Sequence, residues 1–402
     1  MVIILPKQLS SANNLWEENK MRPEKMTPRQ RFEAAINLRE PDRVPICPLG
    51  MLFSAPYVGM TMETYYSDLN AAVSAQRRVF ADLGGWDVMG LSGSTMTDPF
   101  PLLTIFPNKM KRPGKELPPD AIMQFDESEP AMFVDDYDII IKKGWNHFFF
   151  NHLLPRIQPG YGGHLFGTIK AVLRLMSFIR VYKKDVRYWE NRGIPVLVGV
   201  PCVVPYEMFS TARTLKQFIL DLYRCPEKVI AAMNAAMPDT IKSALRGARS
   251  IGVPRVFLAS ERGAGNMTSP THFEQFYLPW LKQLVDALVG ENITPLLHFD
   301  GDWTRHLPYL KELPQGKCIL DLDSTTDIFK AKDLLGDHMC IMGDVPASLL
   351  SLGTPEEVET YCRKLIDHVG KDGGFILSSG CTVPYNAKIE NLKAMINTGK
   401  NY

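Results

Sequence analysis

The segment TPLLHFDGDW, Thr294 to Trp303, decides how this chain is read. Its first six residues form an almost unbroken apolar run, short for a helix and without the alternation of a strand that has one wet face. That is the pattern of a strand buried on both sides, as in parallel sheets. Its end is different: His298, Asp300 and Asp302 crowd directly behind the run. His298 and Asp300 are two apart, so in extended chain both point to the same side. Taken alone, His298 reads equally as a hydrogen-bonded histidine at a core edge, and the aspartates as caps of a helix near Trp303. The choice depends on how many companion strands the segment has.

Seven companions of similar make-up occur: VPICPL (44–49), WDVMGL (86–91), IPVLVGV (194–200), RVFLAS (255–260), KCILDL (317–322), MCIMGD (339–344) and FILSSG (375–380). Helical patterns separate them. Eight apolar strands alternating with helices predict an α/β fold, a (β/α)8 TIM barrel, with an open doubly wound sheet as the alternative. The helix signals are specific. Thr27 caps and Pro28 opens RQRFEAAINL. Ser269 and Pro270 open a segment that Pro279 should break. Thr354, Pro355, Glu356 and Glu357 start a helix whose Val358, Tyr361, Leu365 and Val369 form one apolar stripe, closed by Gly370.

One interval breaks the rhythm. Between the second and third strands lies a stretch too long for an ordinary connection, containing Pro-rich turns, acids and the aromatic patch Trp145 and Phe148 to Phe150. It reads as a cap region, residues 100–190, inserted into a single barrel domain of residues 27–402 behind a polar tail, 1–26. The alternative is a surface for another subunit, so an oligomer is compatible with the sequence.

Composition narrows the partners. The 45 basic and 44 acidic side chains nearly cancel, which argues against nucleic acid or an anionic membrane. No run approaches the ~18 apolar residues of a membrane span, and MVIIL is too short for a signal segment. Seven cysteines scattered without a C-x-x-C pair fit a reducing compartment, so a cytoplasmic location is expected.

In a parallel barrel the active site gathers where the strands end. Reading past the late strands gives Glu261, then His298 with Asp300, Asp321 with Asp323, Asp344, and Cys381. A histidine nitrogen, a cysteine sulfur and carboxylate oxygens make a plausible zinc set with a position left for substrate. Cys381 by itself equally reads as a small buried hydrophobe. Nucleotide-binding glycine motifs and the G-x-S-x-G elbow of acyl-transfer serines are missing.

Several segments together resemble one family. RQRFEAAINLREPDRVPI, SPTHFEQFYLPWLKQLVDAL, LLHFDGDW and the tail GDVPASLLSLGTPEEVETYCRKLI…GGFILSSGCTVPYNAKIENLKAMI are similar, in order, to the uroporphyrinogen decarboxylase superfamily. The likeness is to its corrinoid-dependent methyltransferase branch, and the insertion resembles that of O-demethylating methyltransferase I members. The resemblance implies a (β/α)8 barrel. True decarboxylases carry R-Q-A-G-R-Y after the first strand, where this chain has CPLGMLFSAPYVGM, and an aspartate that falls near Ser92 to Ser94 here. The methyltransferases use zinc held by a His-x-Cys pair and a late cysteine. His298 and Cys381 match; Asp300 stands where the pattern has cysteine, and Glu261 or Glu274 is a further oxygen donor.

The resemblance therefore implies a zinc-dependent methyltransferase with His298, Asp300 and Glu261 catalytic and His298, Cys381, Asp300 and Glu261 as metal ligands. Met51, Phe53, Tyr57 and Asp344 are expected at the substrate, with the aromatic patch shaping an apolar pocket. The methyl group of a small methylated compound, a methoxylated one by preference, would pass to a cobalamin-type corrinoid on a partner protein. The alternatives are a decarboxylase of porphyrinogen-like acids and a non-catalytic binding protein on the same scaffold.

Overall fold

The computed structural model describes residues 24–91 and 99–402. The expected tail lies mostly outside the described residues, as do Ser92 to Ser94. A small hairpin, β1 (Lys109–Lys111) with β2 (Gln124–Asp126), belongs to the insertion. The main sheet is parallel and runs in sequence order. Its strands are β3 (Val200–Cys202), β4 (Arg255–Ser260), β5 (Thr294–Phe299), β6 (Ile319–Leu322), β7 (Cys340–Val345) and β8 (Phe375–Ser379). Strands β4 to β8 are buried except at Thr294, the first residue of β5, as continuous apolar runs require when helices cover the outside.

Two irregular staves close the ring. The Cys47 amide donates to Leu377 O of β8 at 2.9 Å, and the Leu377 amide donates to Pro45 O at 2.9 Å. The Val88 amide donates to Ile46 O at 3.1 Å, and Leu91 N bonds Leu49 O. On the far side the Met89 amide donates to Pro195 O at 3.0 Å and the Leu197 amide to Met89 O at 2.8 Å. The third expected strand is thereby divided: residues near Val196 pair backward to Met89, and only Val200–Cys202 pairs forward to β4. Pro195 cannot donate to a neighbour and Gly199 marks the change of partner, so regular pairing begins later than the apolar run suggests.

The helix signals map onto structure. Thr27 and Gln30 form a capping box at Pro28–Ile36, and Thr354 and Glu357 another at Pro355–His368. Pro279 coincides with a break at Tyr277 between Pro270–Phe276 and Leu278–Gly290. The insertion is tied to the rest of the chain: Glu63 N donates to Pro119 O at 2.8 Å, Ala131 N donates to Ala212 O at 2.8 Å, and Arg262 pairs with Glu127. Residues 112–132 thus run from the helix Met62–Ser67 to the helix Pro205–Arg213 and the turn after β4. The insertion ends in the long helix Leu165–Glu190, which leads back to the barrel floor.

Candidate metal centre

The turn after β5 is pinned on both sides. The Asp300 amide donates to Ser260 O of β4 at 2.9 Å, and the Gly301 amide donates to Asp323 Oδ2 beyond β6 at 2.7 Å. Gly301 has φ +90°, a value that L side chains rarely adopt, and this lets the chain reverse immediately behind Asp300. The Trp303 indole N–H donates to Asp300 O at 2.9 Å. Opposite, Gly380 lies so close to Asp323 that a Cβ there would stand 2.7 Å from its carbonyl oxygen. The glycine lets the β8 loop approach, and Cys381 follows it.

These turns bring His298, Asp300 and Cys381 together, with one donor atom from each within 4.8 Å of the others. His298 Nε2 is 3.2 Å from Asp300 Oδ1 and 3.7 Å from Cys381 Sγ. Its other nitrogen, Nδ1, is 2.6 Å from Asp321 Oδ2 on β6. The register makes that contact inevitable, because His298 lies beside Asp321 on one side and Ala259 on the other. Phe257 stacks on the imidazole at a centroid distance of 4.8 Å.

Burial by itself would depress the His298 imidazole, but Asp300 and Asp321 together hold it well above its ordinary value. Burial pushes the Asp321 carboxyl up to about 6, with the imidazole opposing the shift. Asp321 Oδ1 is buried without a hydrogen-bond partner, so nearly all of this carboxylate's interaction is spent on His298. The donors fit zinc: an imidazole nitrogen, a thiol sulfur and a carboxylate oxygen converge, and the second imidazole nitrogen bonds a buried carboxylate, the usual support of a metal-bound histidine.

The other expected residues divide. Glu261 is outside the three-donor group; its amide donates to Glu207 Oε1 at 3.1 Å. Burial raises its carboxyl, Arg262 opposes this, and the charge of Asp300 adds to the rise. Glu274 is removed from the centre, its carboxylate bonded to the Tyr309 hydroxyl on the surface. Met51 is buried and bridges to Val383, two residues past Cys381, and Phe53 is buried nearby. The Tyr57 hydroxyl instead reaches Asp82 at 3.2 Å, and Asp344 Oδ1 accepts from Tyr361 on the outer helix Pro355–His368 at 2.8 Å. Each of these side chains thus has a partner in the helical layer. The aromatic patch shapes an apolar cavity, as expected of it. Trp145, Phe149 and Phe150 line a cavity of about 580 Å³ between the helices Leu165–Glu190 and Pro226–Ile251, whose walls include none of the three donors.

Two residues with clear roles here received none from the sequence. Asp321 was visible as an acid inside the apolar run KCILDL, a signal that it has a dedicated partner. Glu207 had no such signal. It is buried, and its carboxylate accepts the amides of Glu261 at 3.1 Å, Arg262 at 3.1 Å and Gly263 at 3.2 Å, fixing the turn after β4.

A family model described as Uroporphyrinogen decarboxylase (URO-D) matches residues 178–402, more than half of the chain. The methylated-thiol–coenzyme M methyltransferase of Methanosarcina mazei is 28% identical over 176 residues, covering 44% of this chain and 45% of its own. The methylcobamide:CoM methyltransferase MtbA of the same organism is 30% identical over 131 residues, 32% of this chain and 37% of its own. The uroporphyrinogen decarboxylase of Coxiella burnetii is 27% identical over 146 residues, 34% of this chain and 38% of its own. The match thus spans less than half the length of each of these relatives. A solved methyltransferase from Methanosarcina mazei superposes with a TM-score of 0.68 at 17% identity, over 93% of this chain and 98% of its own, and so shares the fold.

Proposed function

This chain belongs to the uroporphyrinogen decarboxylase family, and from that premise we propose that it is a zinc-dependent methyltransferase. In this reading a small methylated compound gives its methyl group to the reduced cobalt of a corrinoid carried by a separate protein. The observation that carries it is the meeting of His298, Asp300 and Cys381 within 4.8 Å. These three would hold the zinc, which when bound supplies a Lewis acid for the atom that loses the methyl group.

The protein's own groups do the rest. Asp321 accepts the Nδ1 proton of His298 and turns Nε2 toward Asp300 and Cys381, so the Nε2 proton is the one a bound metal would displace. Phe257 covers one face of the imidazole and excludes water from it. Glu261, whose carboxyl is raised above its ordinary value by burial and by the charge of Asp300, is the group this reading assigns to proton transfer at the departing atom. Met51 and Phe53 wall the substrate space beside the Cys381 loop. A phenol has a pKa of about 10, so a phenolate leaves more readily when its charge is met. The oxygen of Asp300, where the methyltransferase pattern has a thiolate, makes the set harder and favours a methyl ether over a methylated thiol. A cytoplasmic location fits seven cysteines without a disulfide, and no described helix is long and apolar enough to cross a membrane.

The test is metal analysis together with methyl transfer to cob(I)alamin, followed by its absorbance, across methoxylated, N-methyl and S-methyl donors. His298→Ala and Cys381→Ala should lose near-stoichiometric zinc and at least about 100-fold in rate, with circular dichroism unchanged. Full activity in either variant, or metal-free decarboxylation of uroporphyrinogen by the intact protein, would overturn the reading.

A further inference from the structure

The helix Leu165–Glu190 carries a row of apolar side chains on its outer side. Leu165, Phe166, Ile169, Val172, Leu173 and Met176 fall on one face by helical spacing. Their exposure runs from 43% at Val172 to 79% at Phe166. Farther along the same face stand the exposed Arg180, Lys184 and Arg187. The helix offers no exposed acid to balance them: Asp185 is buried and Glu190 pairs with Arg29. The face is therefore apolar at one end and basic at the other.

Its position gives the row meaning. The helix's C-terminal end lies at the barrel floor, where the Glu190 carboxylate accepts the Val196 amide at 3.1 Å. Farther up, the Tyr182 hydroxyl bonds Val198 O. At 1.5 Å per residue the helix is about 39 Å long, against about 20 Å for a six-residue strand. Its N-terminal half, which bears the apolar row, thus stands beyond the carboxyl ends of the strands, on the end of the barrel that holds His298 and Cys381.

At roughly 200 Å² for a large apolar side chain, the six leave on the order of 700 Å² uncovered. That exceeds the few hundred Å² an ordinary monomer exposes in one patch and approaches the ~800 Å² per partner of a stable interface. A second copy laid along the whole face would set the basic run against either the apolar row or another basic run, so the two ends are not satisfied together.

We propose that this face is the docking surface for the corrinoid-carrying protein, which meets it with an apolar strip beside an acidic ridge. The inference rests on the methyl-transfer reading above. It gives that reading a way to bring a large carrier to the mouth in one orientation.

Two variants test it: Phe166→Glu with Leu173→Glu, and Arg180→Glu with Lys184→Glu. Each is assayed with free cob(I)alamin, which needs no docking, and with the corrinoid protein that the wild type methylates. Both variants should keep the wild-type rate with free cobalamin and show a KM for the carrier raised tenfold or more. Added salt should raise the wild-type KM and lower that of the charge-reversed variant, whose carboxylates repel the acidic ridge. A wild-type carrier KM in both variants would overturn the proposal, as would a wild type that uses free cobalamin and no carrier. With carrier KM unchanged, a dimer turned monomer by the apolar variant would assign the face to a second copy. Under the same condition, lost binding to phosphatidylglycerol vesicles would assign it to a membrane. A zinc-loaded wild type inert toward both free cobalamin and the corrinoid protein, with every methyl donor, refutes the methyl-transfer reading itself, and the docking proposal falls with it.

Discussion

His298 is flanked by two carboxylates with different work. Asp321 is fully buried and spends its charge on Nδ1 at 2.6 Å; Asp300 is partly exposed and faces Nε2 at 3.2 Å. Replacing Asp321 with asparagine keeps the shape and removes the charge that orients the imidazole. Zinc affinity should then fall about 10- to 100-fold, measured by competition with a chelator, while the fold persists. Asp344 makes a separate prediction. Burial pushes its carboxyl up to about 7 despite the hydrogen bond from Tyr361. A folded-state value above the unfolded one means that this group's stabilisation is complete below about 4 and lost as pH rises through about 7. Between pH 5 and 8 the wild-type melting temperature should therefore fall relative to Asp344→Asn, and parallel curves would refute the assignment. Asp300 was legible in the sequence as a departure from the methyltransferase pattern. Asp321 was legible as an acid at a strand end but not as the partner of His298, which lies 23 residues away in sequence.

The strands and their turns were the most legible elements, since apolar runs, prolines and capping residues act locally. Thr27 and Thr354 cap where expected because each side chain accepts from an amide three residues on. The first two staves were legible as apolar runs but not in how they pair. Gly90 is central there: a Cβ would overlap the Leu49 carbonyl oxygen, where the two staves touch. Gly90→Ala should destabilise by about 1–3 kcal/mol in urea unfolding, the usual cost of forcing extra volume into a packed site. An alanine variant of wild-type stability would mean that the staves part without loss. The division of the third strand between Met89 and β4 follows from the closed ring, since one strand must serve two neighbours.

At the scale of the molecule, the floor of the barrel is tied by charge and the mouth by the insertion. Arg31, fully buried, donates from Nε to Asp42 at 2.7 Å and from Nη1 to Asp87 at 2.6 Å. This joins the first helix to the turn before the first stave and to the second stave. Arg31→Ala leaves Asp42 without its guanidinium, while Asp87 keeps Arg43 at 2.6 Å. A loss of about 3 kcal/mol, the low end for breaking a buried pair, is expected in denaturant unfolding, with zinc content unchanged. By itself the sequence determined the strand count, the helix starts and the residue types at the strand ends, because hydrophobic periodicity and capping act over a few residues. It also marked His298 and Cys381 as partners, through the family resemblance of the segments that carry them. Only the tertiary structure decided which strand-end acids meet. Glu261, Tyr57 and Asp344 sit beside apolar strands as His298 does, yet other partners take up the Glu261 amide and the Tyr57 and Asp344 side chains. Where a side chain comes to rest depends on register, turn geometry and distant partners, none of which a linear pattern contains.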